Sequence, residues 1–144
     1  MIAEYLDTLA GPLLLPADRA AALPVRQAEA LADGITDAAV TAFLEGMRPA
    51  ERQDPAAIER QLGKISRGLT ALEARVAQRK GCAGEALTIA DIAIGCTLGY
   101  LDFRVAHLGW RASHPQLKAW AAGLLARPSF LPVRPAPQTS WVCH

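Results

Sequence analysis

The sequence predicts an all-α domain, a bundle of four to five helices around one buried central helix. Three observations carry this reading. Apolar residues recur at spacings of three and four through residues 25–47, 55–80 and 114–126, the period of a helix that buries one face. Nothing reads as a βαβ unit, and residues 87–104 lack the alternation of apolar and polar residues that a half-buried strand would show. Residues 92–101, Ile-Ala-Ile-Gly-Cys-Thr-Leu-Gly-Tyr-Leu, are all apolar or glycine except Thr97. A helix this apolar on every side is expected to be buried all round. It is too short to cross a bilayer, which takes about 20 apolar residues.

The elements follow in order. Residues 1–9 place Ile2, Tyr5, Leu6 and Leu9 at helical spacing, but a helix starting at residue 1 is short and weakly nucleated. Gly11 and Pro12 stop it, and residues 13–24 read as a proline-containing loop. The next helix spans residues 25–47, with Ala28, Leu31, Ala32, Ile35, Ala39 and Phe43 on its apolar stripe, and Arg48-Pro49 ends it. Asp33, Thr36, Asp37 and Val40 lie on adjoining faces of that helix. Two carboxylates a turn apart there either line a polar cleft or are simply solvated.

Asp54 as N-cap and Pro55 at the first position open the helix over residues 55–80. Its seam of Ile58, Leu62, Ile65, Leu69, Leu72 and Val76 alternates spacings of four and three, which suits a neighbouring helix at a shallow angle. Gly63 and Gly68 each cost about 1 kcal/mol against alanine there. They either permit a close backbone approach or are tolerated defects. Arg79, Lys80 and Gly81 carry the signals of the helix end.

The central helix begins with two signals. Thr88 and Asp91 have the spacing of a capping box, with Asp in place of the usual Glu, and Leu87 and Ile92 that of a hydrophobic staple. Asp91 could also be read as a catalytic acid, but capping explains both its position and its partner. A linker follows through Gly109-Trp110-Arg111. His114-Pro115 then opens the last helix, whose inner face is Leu117, Trp120, Ala121, Leu124 and Leu125. Arg127-Pro128 ends it, and the prolines beyond preclude regular structure.

At 144 residues the chain is long enough for one domain with a real core. A net charge of +1 gives no reason to expect nucleic acid or an anionic surface as partner. Three cysteines without paired spacing argue against a disulfide framework and for a reducing, cytoplasmic setting. Cys82 reads as an exposed loop thiol and Cys96 as a small hydrophobe inside the central helix. The Cys143-His144 pair lacks metal-ligand spacing, and His107 and His114 read as surface or capping residues. No phosphate loop, zinc spacing or nucleophile elbow is found, no membrane span is expected, and the first residues, with Glu4 and Asp7 and no basic stretch, are not expected to be a signal peptide.

Three segments together resemble the cytosolic glutathione transferases, specifically their C-terminal helical domain. They are Leu-Thr-Ile-Ala-Asp-Ile-Ala at 87–93, Gly-Tyr-Leu-Asp-Phe-Arg at 99–104, and His-Pro-Gln-Leu-Lys-Ala-Trp with Ala-Arg-Pro-Ser-Phe at 114–120 and 126–130. The start of the residue 25–47 helix, Arg-Gln-Ala-Glu-Ala-Leu-Ala-Asp-Gly-Ile-Thr-Asp, is also similar to bacterial members. The resemblance implies three parts. Residues 1–10 resemble the last helix of a thioredoxin-like domain, residues 11–131 form the helical domain, and residues 132–144 are a proline-rich tail. The family's thiol-activating residue, cis-proline and glutathione-anchoring serine belong to the thioredoxin-like domain and have no counterpart here.

The resemblance therefore implies that glutathione is a co-substrate only when a thioredoxin-like partner completes the site, and that this chain alone binds no cofactor. It implies an electrophile pocket on Asp33, Thr36, Asp37 and Val40, with Tyr100, Phe103 and Arg104 beside them. It implies a homodimer through residues 25–47 and 55–80, and a small apolar electrophile as ligand. The alternative is a non-catalytic module that dimerises or binds apolar ligands or another protein. Without the first domain an apolar surface is left open. Residues 1–9, a partner subunit or the tail with Trp141 is expected to cover it.

Overall fold

The computed structural model describes residues 2–9, 14–78 and 86–133. These are all helical or irregular: α1 (Ile2–Leu9), α2 (Arg19–Gly46), α3 (Pro55–Gln78), α4 (Ile89–Arg104), α5 (Trp110–Ser113) and α6 (Pro115–Leu125). α2 packs along both α3 and α4, and α6 closes the bundle by lying on α3 and α4. The core is built from one face of each: Ala28, Ala32, Ile35 and Ala39 of α2, Ile65, Leu69 and Leu72 of α3, and Ile94, Leu98 and Leu101 of α4, with Leu117 and Ala121 of α6. Among the described residues, no helix is long and apolar enough to cross a membrane.

α2 starts earlier than the prolines suggest. Asp18 caps it by accepting from the Ala21 N–H at 2.8 Å, so Pro24 lies inside the helix and not in the loop before it. An interior proline forfeits one backbone hydrogen bond and costs about 3 kcal/mol. Here the Asp18 cap and the buried Ala22 and Val25 on either side of Pro24 hold the first turns in place. The inner face of α2 is nearly all alanine, which lets both neighbours come close. At Gly68 of α3 the approach is tightest: an added Cβ would lie 2.5 Å from Ile35 Cγ1 and 2.8 Å from Cδ1. That glycine is required for close packing. Gly63 is not, since its Cβ would meet only an Arg67 guanidinium nitrogen, at 3.3 Å.

The α2–α3 connection is stapled. Glu45 accepts from the Asp54 N–H at 2.8 Å and from Arg48 at 3.0 and 3.1 Å, while Gln53 donates to the carbonyls of Gly46 and Arg48. Asp54 in turn accepts from the Ala57 N–H at 3.1 Å, at the start of α3.

α4 begins at the capping box. The Asp91 carboxylate accepts from the Thr88 N–H at 2.8 Å and from its hydroxyl at 2.8 Å, and the Asp91 N–H reaches Thr88 Oγ1 at 3.4 Å. Both residues are buried, and Leu87 and Ile92 beside them are half-buried. The expectation of burial all round does not hold for α4. Ile94, Leu98 and Leu101 are fully enclosed, but Ile92, Ala93, Gly99 and Tyr100 are only half-buried and Cys96 is exposed. The reason is geometric. α2 and α6 cover adjacent sides of the helix, and the side carrying Cys96 faces neither. Gly95, on the covered side, admits Phe130, whose ring carbons would lie 2.7–2.8 Å from an added Cβ.

Two further corrections concern the C-terminal half. The linker after α4 is structured: a 3₁₀ turn at Ala106–Leu108, Gly109 in the left-handed region (φ 55°), then α5. Asp102 fixes this corner by accepting from Trp110 Nε1 at 2.9 Å and from Arg111 at 2.6 and 3.2 Å. Beyond Pro128, Leu131–Val133 still forms a short 3₁₀ turn.

α1 does not cover an apolar surface. Its own Ile2, Tyr5, Leu6 and Leu9 are all exposed. It is tethered by a Glu4–Arg26 ion pair and by Asp7, which accepts from the N–H groups of Leu14 and Leu15. Gly11, Pro12, Arg79, Lys80, Gly81, Cys82 and the tail with Trp141, Cys143 and His144 lie outside the described residues.

Candidate functional site

The residues named as an electrophile pocket divide between α2 and α4, and the seam between these helices decides which of them meet. At its middle, the Thr36 and Thr97 hydroxyls lie 2.8 Å apart and both reach the Ala32 carbonyl, at 3.2 and 3.1 Å. One hydroxyl donates to that carbonyl and the other donates to the first. Thr97 thereby gains a partner inside an otherwise apolar helix, as a buried hydroxyl must. Thr36 is a clasp between helices, and its hydroxyl is committed.

Further along the same seam, Arg104 lies over two aromatic rings, with its guanidinium 4.3 Å from the centroid of Phe103 and 4.7 Å from that of Phe43. Such stacking contributes roughly 0.5–1 kcal/mol at a partly exposed position. Val40, Tyr100, Phe103 and Arg104 are all half-buried. Tyr100 also packs against the core. One turn before Tyr100 on α4 stands the exposed Cys96, whose thiol pKa is pushed up by partial desolvation although the residue reaches solvent. Together these side chains form a shallow apolar shelf with a stacked cation at one end.

Asp33 and Asp37 are exposed on α2, and neither is held in an ion pair among the described residues. They form a solvated acidic shoulder outside the shelf.

Among the described residues, no three His, Cys, Asp or Glu side chains are grouped to hold a metal ion. His107 is exposed. His114 is buried at the α5–α6 corner, where its Nδ1 pairs with the Trp110 carbonyl at 3.0 Å. Among the described residues, no hydrogen bond pairs the Cys96 thiol or the Tyr100 hydroxyl of the shelf with a base.

The structure gives two residues roles that the sequence does not show, Phe43 beside the shelf and Glu73 at the start of α6. Phe43 was placed on the apolar stripe, but it serves as a platform for Arg104. Glu73 of α3 caps α6 from outside, accepting from the N–H groups of Gln116 at 2.9 Å and Leu117 at 2.6 Å. The sequence signal for Phe43 is its place on the apolar stripe of α2, which does not distinguish a core position from a platform for a cation. Glu73 gives none, since its partners are 43 and 44 residues away.

Comparison with known proteins identifies the fold. Residues 55–123 match the family model described as glutathione S-transferase, C-terminal domain. The chain is 38% identical over 136 residues to YibF of Escherichia coli K12, described as an uncharacterized GST-like protein, covering 94% of this chain and 67% of that one. Among solved structures, a glutathione S-transferase from Methylobacillus flagellatus with GSH bound shares 46% identity at a TM-score of 0.88, over 94% of this chain and 68% of that one. A glutathione transferase family member from Pseudomonas fluorescens Pf-5, with bound S-(propanoic acid)-glutathione, shares 40% identity at a TM-score of 0.84, over 94% of this chain and 69% of its own. The chain thus spans about two thirds of the length of these relatives. An all-helical bundle opened by the Thr88–Asp91 box and aligned over nearly its whole length with such proteins belongs to the glutathione S-transferase family.

Proposed function

We propose that this chain is the electrophile-binding helical half of a glutathione transferase. It holds an apolar electrophile on the α2–α4 shelf, while a thioredoxin-like domain, on the same polypeptide or a separate one, holds and activates glutathione. The observation that carries this reading is the open side of α4. Cys96 is exposed and Tyr100 and Phe103 are half-buried on a helix otherwise apolar enough for a protein interior. The alignment covers only 68–69% of the relatives solved with glutathione or its conjugates.

In the complete enzyme the glutathione thiolate would attack the electrophile, its sulfur forming the new bond to the electrophilic carbon while that carbon's bond to a leaving group such as chloride breaks and the leaving group departs with the electron pair. This chain's share is desolvation and orientation. Val40, Tyr100 and Phe103 would press an apolar substrate against the shelf and hold its reactive carbon toward the sulfur. Activation of the thiol needs a donor that these residues do not supply, so the chain by itself is expected to be inactive.

The same reading includes a cytoplasmic homodimer through α2 and α3. Between those helices runs an open groove of about 320 Å3 on Ala30, Gly34, Gly68, Lys64 and Arg67, with small residues along its floor. A sedimentation run at high micromolar concentration that finds only monomer removes the dimer.

A second reading, a non-catalytic module that dimerises or binds apolar ligands or another protein, is favoured by the exposed row Ile2, Tyr5, Leu6 and Leu9 on α1. One experiment separates the two. The chain is mixed with the thioredoxin-like half of a related transferase, and chloride displacement from 1-chloro-2,4-dinitrobenzene by glutathione is followed. Conjugation by the mixture above that of either part supports the enzyme. Complex formation without conjugation supports the module.

A further inference from the structure

The α2–α4 shelf has a direction. Thr36 meets Thr97, and seven residues further along each helix Phe43 meets Arg104. The two helices therefore run the same way, and Arg104 closes one end of the shelf. Its guanidinium lies over one ring from each side of the seam, Phe103 of α4 at 4.3 Å and Phe43 of α2 at 4.7 Å. All three residues are half-buried. The carboxylates of α2 stand toward the other end: Asp37 and Asp33 precede Phe43 by six and ten residues, about 9 and 15 Å along a helix. Two acids nearer to Arg104 or Phe43 in sequence are engaged elsewhere, Asp102 by Trp110 and Arg111, and Glu45 by Arg48 and the Asp54 N–H.

A cation in the last turn of α4 is favoured by the helix dipole, and a lysine would serve that end as well. The two rings do something more specific. They attract the charge and restrict where the guanidinium can lie, but a ring carries no net charge and neutralises nothing. Arginine has five N–H donors, enough to serve a protein acceptor and a ligand carboxylate together. A carboxylate fits its fork with two parallel hydrogen bonds. A pair made at a half-buried position is screened less than one in open water. Tyr100 stands one turn before Arg104, about 6 Å along the axis. A single aromatic ring spans that step, over Phe103 and Tyr100 and toward Val40.

We propose that the electrophile this shelf accepts is an aromatic carboxylic acid. Its carboxylate takes two N–H groups of Arg104, and its ring lies on Phe103, Tyr100 and Val40. The carbon that the thiolate attacks is then at the end of the ring away from Arg104. Arg104 determines specificity and takes no part in the bonds made and broken. This inference rests on the reading of the shelf as the electrophile site.

The test titrates the full chain at pH 7 with 4-chloro-3-nitrobenzoate and, separately, with its methyl ester, which has the same displaceable chloride and no charge. Binding is read by amide and arginine Nε–H NMR. Both compounds should shift Val40, Tyr100 and Phe103. The benzoate should also move the Arg104 Nε–H resonance and bind about tenfold more tightly than the ester. Arg104→Gln should bring the two affinities together. Arg104→Lys, which keeps the charge at the helix end without the planar fork, should retain only part of the difference, and it decides the matter if the glutamine variant does not fold. Equal affinity of the parent for acid and ester, or an undiminished preference in either folded variant, would overturn the inference and leave the electrophile site standing. If neither compound moves Val40, Tyr100 and Phe103, the site itself falls, and the inference with it.

Discussion

Replacing Gly68 with alanine tests the tightest contact in the bundle. The new methyl would sit 2.5 Å from Ile35 Cγ1 and 2.8 Å from its Cδ1, against an ordinary carbon–carbon separation of about 3.5–4.0 Å. Ile35 is 1% exposed and packed into the core, and its one open side is the α2–α3 groove that it lines with Gly68. Overpacking a core costs typically 1–3 kcal/mol, and an overlap this large against a confined side chain belongs near the upper end. Alanine recovers about 1 kcal/mol of helix propensity. The net expectation is a loss of about 2 kcal/mol, or roughly 6 °C in Tm for a chain of this size. Urea unfolding followed by circular dichroism gives the value. Gly34→Ala is the control, since nothing lies within 4 Å of its added methyl. It should be neutral or stabilising. Adding Ile35→Ala to Gly68→Ala leaves the new methyl 3.9 Å from the residue 35 Cβ, an ordinary contact. The double variant should therefore lose less than the sum of the two single losses. A Gly68→Ala chain as stable as the parent, or strict additivity with Ile35→Ala, would refute the packing argument.

Three further predictions follow from single contacts. Glu73→Ala should destabilise the chain by about 1–2 kcal/mol, with early loss of α6 amide protection in hydrogen exchange, because two N–H groups at the start of that helix lose a charged acceptor. The Glu45 carboxyl is held below its ordinary value of 4.5, chiefly by the Asp54 N–H and next by Arg48, so its contribution to stability is full above 4.5 and is lost as pH falls through the lower folded value. The stability gap between the parent and Glu45→Gln should accordingly close in acid and stay constant from pH 5 to 7. Desolvation raises the Cys96 thiol above 9.0, so in a Cys82→Ser/Cys143→Ser chain its rate of alkylation by iodoacetamide should reach half its plateau above that pH, and a midpoint at or below it contradicts the stated cause.

What could be read from the sequence was local in the chain. The Thr88–Asp91 box joins residues three apart, and the Asp54-Pro55 start of α3 and its apolar seam needed only neighbouring residues. Gly68 was legible as one of two alternatives, which the position of Ile35 decided. What stayed hidden depended on partners far along the chain. The helix through Pro24 is sustained by burial of Ala22 and Val25, which no local rule registers. The Glu73 cap spans 43 residues. The exposure of Cys96 depends on which side of α4 lacks a neighbour, and total hydrophobicity carries no information about direction. For the same reason the candidate residues separated as they did. Helical spacing put Asp33, Thr36, Asp37 and Val40 on adjoining faces, but only the Thr97 contact shows that Thr36 is committed to the helix seam.

The division of labour is tested most directly by titrating this chain alone with glutathione and with 1-chloro-2,4-dinitrobenzene, each read by amide NMR. The account predicts no saturable glutathione binding, and shifts at Val40, Tyr100 and Phe103 on adding the electrophile. Saturable glutathione binding to the isolated chain, or electrophile shifts that leave the α2–α4 shelf untouched, would contradict it.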